Sequence, residues 1–468
     1  MNAITQLRDF IWGPYLLIPL LFASGIYLTL RLRGIQFWTL PHALWLAFVL
    51  REEGDDREGD ISHFEALTTA LAATIGVGNI AGVATGIGIG GPGALFWMFV
   101  TGVLGMAAKY SEALLGVKYR RRDAMGEQSG GPMLYLHEGF AERGMGGLGK
   151  VLGLSFAVFG AIAAFGIGNM SQANSVSVQL HDTWGVPLWL TGATMTVLLA
   201  AVALGGIKSI GRVAAVVVPF MCVAFTVSNL LVLVVMADRI PGAIVEIVSD
   251  AFTGTAATGG FVGSTVLVAI QLGFARGIFS NESGLGTGAI AAAAAKTDQP
   301  VRQAMVSMTQ TFVDTVVMLT LTGLMIVATD AWKAEGVAGP TMTSLAISTG
   351  FARISPALAP WGSYVVAVGV VFFAFCTILG WSYYGERCME FLFGRGAVQP
   401  YRVVFLLFAF VGAVLELDLV WVFSDMANGL MALPNLLGLL VLSPVVVKES
   451  WKYFANPKWR DAEATYES

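Results

Sequence analysis

The sequence predicts an all-α polytopic membrane protein, and three observations carry that prediction. Hydrophobic residues make up 56% of the 468 and charged residues only 12%, where a soluble chain carries about a quarter. Mean hydropathy is +0.72. Uncharged runs recur at 10–30, 66–108, 151–180, 183–207, 213–237, 251–275, 354–385 and 426–447, each at or above the roughly 20 residues that cross a bilayer. The ~10-residue alternating strands of a membrane β-barrel are not visible.

Taken in order, eleven helices are expected, near residues 11–31, 62–90, 93–119, 150–180, 185–205, 211–237, 258–295, 301–328, 357–388, 401–417 and 419–447. Pro92, Pro187, Pro241, Pro300 and Pro400 fall at or near the joints, where a missing N–H does least harm. Ser62 and Glu65 form a capping box at the start of the second helix. With the N-terminus outside and eleven crossings, 22 of the 27 Lys and Arg fall on inner segments and four on outer ones. That bias supports the count, with a cytoplasmic C-terminus. The soluble pieces are short: "REEGDDREGD" (51–60), "RRRDAMGEQSGG" (120–131) and the tail from Trp451. The three cysteines have no metal or disulfide spacing, and no cleavable leader pattern follows the first apolar run.

The second expected helix is interrupted by "TIGVGNIAGVATGIGIGGPG" (74–93). Each interior glycine costs about 1 kcal/mol against alanine. A dinucleotide fingerprint fails on context, because no strand precedes "GVGNIA" and no acidic residue follows before Glu112. Gly78, Gly82, Gly86 and Gly90 also make a small-xxx-small ladder suited to close helix packing. A selectivity filter would require an oligomeric pore built on a short motif, which eleven spans do not suggest. The remaining reading is a broken helix whose freed carbonyls and amides bind an ion or a carboxylate at membrane depth. A second interrupted stretch, "ARGIFSNESGLGTG" (275–288), stands in the sixth of the ten helices that follow the first. Matching breaks in two halves point to an inverted-repeat transporter. The boundaries are then 1–60 for an extra N-terminal helix and cytoplasmic connector, 61–240 and 241–455 for the repeats, and 456–468 for the tail.

Charges inside spans are functional candidates. Asp314, in "TQTFVDTVVML", reads equally as a cation or proton site and as a structural partner of Arg276. Arg276 and Glu282 flank the second break and suggest a pair that steadies it. Lys109 with Glu112, and Glu386 with Arg387, read as a surface network near the cytoplasmic edge or as an inner gate. Phe165, Asn169, Gln172, Ser175 and Gln179 share one helical face, suited to a cavity or to interhelical hydrogen bonds. No span carries a zincin, paired-Asp or nucleophile-elbow pattern, and His42, His63, His137 and His181 lie at span ends or in loops, so no enzyme is expected.

Five motifs in order resemble the alanine/glycine:cation symporter family: "GGPGALFWMFVTGVLG" (90–105), "KYSEALLGVKYR" (109–120), "GIGNMSQANS" (166–175), "RGIFSNESGLGTG" (276–288) and "FCTILGWSYYGER" (375–387). The family more often has Trp where Phe99 stands and a slightly larger residue at Gly102. The resemblance implies a LeuT-type fold, a 5+5 inverted repeat with discontinuous first and sixth core helices. It also implies symport of alanine or glycine with Na⁺ by alternating access. Substrate contacts would come from Thr74, Gly76, Gly78, Asn79, Gln172, Phe279, Ser280, Asn281 and Trp381. Sodium would be held by Ala72, Ile75, Phe373, Cys376 and Thr377. Related chains commonly carry a hydroxyl where Cys376 stands, and a hard cation prefers oxygen to a thiol, so H⁺ stays open as the coupling ion with Asp314 as its site. A proton-coupled symporter or an uncoupled facilitator or channel of the same fold is the alternative. No organic cofactor, nucleic acid or obligatory protein partner is expected. The location is a membrane, by resemblance a prokaryotic inner membrane.

Overall fold

The computed structural model describes residues 2–13, 15–51, 57–253, 266–415 and 418–461, and these are overwhelmingly helical. Helices α1 (Asn2–Ile11) and α2 (Leu17–Arg31) lead into short turns α3 (Ile35–Trp38) and α4 (Leu40–Trp45), closed by a π turn at Leu46–Leu50. The chain then forms α5 (His63–Thr74), α6 (Ala81–Gly90), α7 (Gly93–Lys118) and α8 (Pro132–Ala141). It continues with α9 (Gly146–Phe165), α10 (Ser171–Trp184), α11 (Leu188–Ala203), α12 (Gly206–Val235) and α13 (Ile240–Thr253). The chain goes on through α14 (Val266–Asn281), α15 (Gly288–Ala293), α16 (Pro300–Thr311), α17 (Thr320–Ala328) and α18 (Pro340–Ile354). It ends with α19 (Trp361–Phe393), α20 (Val398–Val414) and α21 (Asp418–Phe454).

Seven stretches among the described residues are long and apolar enough to cross a membrane: 93–118, 146–184, 206–235, 300–328, 356–393, 395–414 and 424–454. Shorter apolar helices lie at 17–31, 40–50, 81–90, 188–203 and 266–281. Each expected span falls on one of these helices or on a broken pair, although 258–265 lies outside the described residues.

Several expectations need correction. Part of the 31–60 connector is helical, because "LPHALWLAFVL" places Pro41 in the first turn of an apolar helix. Helices α8, α13 and α18 also stand where the sequence reading had loops. The second break is shorter than 275–288, because α14 runs through Asn281 and only 282–287 leaves the helix. Glu282, Gly284 and Gly286 take φ of 55°, 90° and 89° there, so the left-handed turn, not the composition of the wider stretch, sets its limits.

The first break stands where expected. The capping box starts α5, with Glu65 N donating to Ser62 Oγ at 3.2 Å and Ser62 N to Glu65 Oε2 at 2.9 Å. The helix stops at Thr74, Gly76 is extended, and a 3₁₀ turn over Val77–Asn79 leads into α6. Helix α7 is the hub, packed against α2, α14, α15 and α16, while α9 packs against α19 and α21. The ladder expected along the glycine run is partial: a Cβ at Gly86 or Gly90 would meet α7 and α14, but Gly82 faces open space.

Candidate functional site

The two breaks and α19 converge on one small cavity. It measures about 20 Å³ and is lined by Ala73, Thr74, Gly76, Gly78, Ile167, Gln172, Phe279, Glu282, Thr377, Trp381 and Asn428. One water needs roughly 10–15 Å³, so the walls stand closed around very little space. Close approach explains the glycines. A Cβ on Gly76 would stand 2.6 Å from Thr377 Oγ1, and one on Gly168 would stand 2.3 Å from the Trp381 ring.

Six of the nine expected substrate residues line this cavity: Thr74, Gly76, Gly78, Gln172, Phe279 and Trp381. The other three, Asn79, Ser280 and Asn281, sit instead in a second, fully buried cluster around Asp314. Ser280 Oγ lies 2.9 Å from Asp314 Oδ2 and 3.2 Å from Asn79 Oδ1. The Thr315 hydroxyl donates to Asp314 Oδ2 at 2.6 Å, and Asn281 Nδ2 donates to that hydroxyl at 3.0 Å. Asn79 Nδ2 reaches the Asp314 backbone carbonyl at 3.1 Å. Ser280 has one proton for three neighbouring oxygens, so acceptors outnumber donors. Oxygen-rich and short of protons, the cluster fits a hard cation.

No basic side chain pairs with Asp314 among the described residues, so the expected Arg276 partnership is not formed. Arg276 instead lies 5.9 Å from the centroid of the Phe279 ring, and its Nε has no hydrogen-bond partner. The expected Arg276–Glu282 pair is likewise not formed: the Glu282 carboxylate accepts from Thr287.

Of the expected sodium residues, Thr377 lines the cavity beside Gly76 and donates to the Phe373 carbonyl at 3.0 Å. A Cβ on Gly380 would meet the Ala73 backbone at 2.9 Å, so the end of α5 lies directly on α19. Ala72, Ile75, Phe373 and Cys376 are all buried at this junction or next to it in sequence. These residues supply carbonyl and hydroxyl oxygens with one thiol, a donor set that fits a monovalent hard cation through its oxygens.

Lys109 and Glu112 are not a surface network. Both are fully buried, 3.7 Å apart. Lys109 Nζ donates to the Glu282 carbonyl at 3.1 Å, and Glu112 Oε1 accepts from the amides of Gly284 and Gly286 and from Asn435 Nδ2. The pair thus satisfies the backbone freed by the second break, the burial that unwound backbone requires at membrane depth. At the other end of α19, Arg387 is fully buried among Asp123, Glu127, Glu386 and Glu390, with Arg402 on Glu386 at 2.6 Å. The first two partners belong to the 119–131 hairpin. Burial opposes ionisation of Asp123, but the amides of Met125 and Glu127 and the Arg395 charge hold it below the usual carboxylate range.

Sequence reasoning missed Glu282 and Asn428 as cavity residues. It also missed the π turns at Gly166–Met170 and Phe312–Leu319, which re-aim Gln172 and carry Asp314. Such turns concentrate at functional sites but leave no periodicity to read.

The pattern of the sodium:alanine symporter family matches residues 1–467. The chain belongs to that family. The symporter is 51% identical to the sodium/alanine symporter AgcS of Methanococcus maripaludis over 96% of each chain. It is 46% identical to an uncharacterized transporter of Haemophilus influenzae, over 98% of this chain and 97% of that one. The amino-acid carrier protein AlsT of Bacillus subtilis is 31% identical over 94% and 89%. Among solved structures, MhsT in complex with L-phenylalanine superposes with a TM-score of 0.54 at 15% identity, covering 85% of this chain and 99% of that one. That likeness carries the fold, LeuT-type. The symporter is a secondary active transporter of the cation-coupled class, not an enzyme.

Proposed function

We propose that the symporter carries alanine or glycine together with Na⁺, by alternating access to the cavity between the two helix breaks. The observation that carries this reading is the convergence of both breaks on one enclosed space with unsatisfied acceptors. The substrate carboxylate is received by the amides of Gly76 and Gly78, at the start of the second half of the broken helix, where the dipole favours an anion. Thr74 flanks it, and Gln172, Phe279 and Trp381 close the cavity. One sodium lies where the α5 terminus meets α19, held by the carbonyls of Ala72, Ile75 and Phe373 and by the Thr377 hydroxyl, with Cys376 alongside. The cluster of Asp314, Asn79, Ser280 and Asn281 is the second cation site. Coupling follows because substrate and ions complete one charge environment. The N-terminus faces out and the C-terminus the cytoplasm of a prokaryotic inner membrane, with repeats at 61–240 and 241–455.

The test is radiolabelled alanine uptake into proteoliposomes under an inward Na⁺ gradient, a proton gradient, or neither. Accumulation with Na⁺ alone is expected. Accumulation driven by protons in the absence of Na⁺ would transfer the coupling role to H⁺ at Asp314, and entry that never exceeds equilibrium would remove coupling altogether.

A further inference from the structure

Two acceptor groups without a hydrogen-bond partner and one carboxylate face the cavity. Gln172 is 3% exposed, and its Nε2 donates to the Ile167 carbonyl at 3.1 Å, which fixes the amide so that Oε1 is left without a partner. Asn428, on α21 and 2% exposed, also has an unpartnered Oδ1. The third is the carboxylate of Glu282, 3% exposed, placed in the cavity by the left-handed residue that opens the second break. It accepts from the Thr287 hydroxyl. Among the described residues, no Lys, Arg or His lines the space. Lys109, which reaches the second break, is committed to Glu112 and to the Glu282 backbone carbonyl.

We propose that Glu282, Gln172 and Asn428 form the receptor for the ammonium group of the substrate, and that Glu282 makes a protonated primary amine a condition of transport. The inference rests on the amino-acid reading above and deepens it. A primary ammonium has three N–H donors and no acceptor, which matches three acceptor groups drawn from α10, α21 and the second break. It also supplies the positive charge that a buried carboxylate requires. The Gly76 and Gly78 amides are donors, so they take the carboxylate end and the zwitterion lies in one direction only. Lactate and propionate, which share the carboxylate and the size of alanine, bring no such charge and leave Glu282 uncompensated. N-methylalanine brings the charge with one donor fewer and a methyl group for which the cavity has little room.

The experiment measures alanine, N-methylalanine and lactate as competitors of radiolabelled alanine binding, on the full chain in detergent. Wild type, Glu282→Gln and Asn428→Ala are compared, with sodium-dependent thermal stabilisation recorded on each. Wild type is expected to prefer alanine over lactate by more than 100-fold. In Glu282→Gln that preference should fall to within tenfold, chiefly through weaker alanine binding, while the sodium stabilisation persists. Asn428→Ala should weaken alanine about fivefold to tenfold without changing its preference over lactate as much. Undiminished alanine preference in Glu282→Gln overturns the proposal, as does loss of the sodium response with alanine binding intact, which would make Glu282 a cation ligand. If Glu282→Gln does not fold, wild-type alanine affinity in Asn428→Ala overturns it instead. A wild-type protein that binds no amino acid would overturn the transport reading itself, before any variant is compared.

Discussion

Replacing Asp314 with Asn should change stability and ion affinity in opposite directions. Asp314 is fully buried, accepts from the Ser280 and Thr315 hydroxyls, and has no basic partner among the described residues. A buried carboxylate without a counter-charge carries a penalty of several kcal/mol. Asn is nearly isosteric, neutral, and keeps one acceptor oxygen. The cation-free protein should therefore become more stable, by about 1–3 kcal/mol. The loaded protein should go the other way. A carboxylate about 4 Å from a monovalent ion contributes about 4 kcal/mol at an effective dielectric of about 20. The Asn oxygen returns part of that, leaving an expected loss of sodium affinity of about 100-fold. The assay is thermal unfolding in detergent, in choline chloride and in graded NaCl, beside the sodium concentration that gives half-maximal alanine uptake. At sodium about 100 times the wild-type Kd, binding stabilises the wild type by about 2.7 kcal/mol but a variant weakened 100-fold by only about 0.4 kcal/mol. An Asn variant that melts lower in choline and keeps the full sodium shift would refute the reasoning and make Asp314 structural.

Gly168→Ala drives a methyl into the Trp381 ring, an overpacking cost of about 1–3 kcal/mol. The ring lines the cavity, and its displacement into that space should impair uptake more for alanine than for glycine, measured as the ratio of their KM values. Arg387→Gln leaves Asp123, Glu127, Glu386 and Glu390 facing one another, and should lower stability by about 3 kcal/mol in a neutral-pH melt. Asp123 and Glu127 have folded pKa values held below the usual range. The stability they contribute is complete above the unfolded carboxylate value, about 4, and is lost only as pH falls through the lower folded ones. The part of the Arg387→Gln penalty that passes through Asp123 and Glu127 should therefore shrink only in acid, below about pH 4. Asp60 has the opposite sign: burial raises its pKa, against the amide of Gln128 and despite Arg387 nearby. Its ionisation costs stability as pH rises through the normal carboxylate range toward that raised value, so Asp60→Asn should stabilise a neutral-pH melt and lose the advantage below about pH 4.

The broken helices were legible because glycine at mid-span has few other uses. Thr74–Asn79 showed its break, and the motif around 276–288 showed that a second one existed. Its limits were hidden, because whether Arg276 or Glu282 begins the break depends on which residue turns left-handed. Periodicity also placed Lys109 and Glu112 correctly on one helical face, yet could not tell that the face looks inward onto freed amides. Sequence distance hid Asn428, a polar residue in an apolar span that resembles an ordinary interhelical contact until α21 is folded against the cavity. The division of Asn79, Ser280 and Asn281 from the cavity residues depends on a π turn around Asp314, and a π turn changes side-chain direction without changing composition.

The outer flanks of the two broken helices, before α5 and after α15, are joined by their backbones. Asp60 N and Ile61 N donate to the Ala294 carbonyl, Lys296 N to the Ile61 carbonyl and Thr297 N to the Glu58 carbonyl. Arg120 binds carbonyls of Glu58, Ala293, Ala295 and Thr297 from a third segment. The segment leading into α5 and the segment leaving α15 are therefore geared together. A swing at one break must carry the other with it, so on the proposed assignment the walls around the amino acid and those around its ion would part in a single stroke.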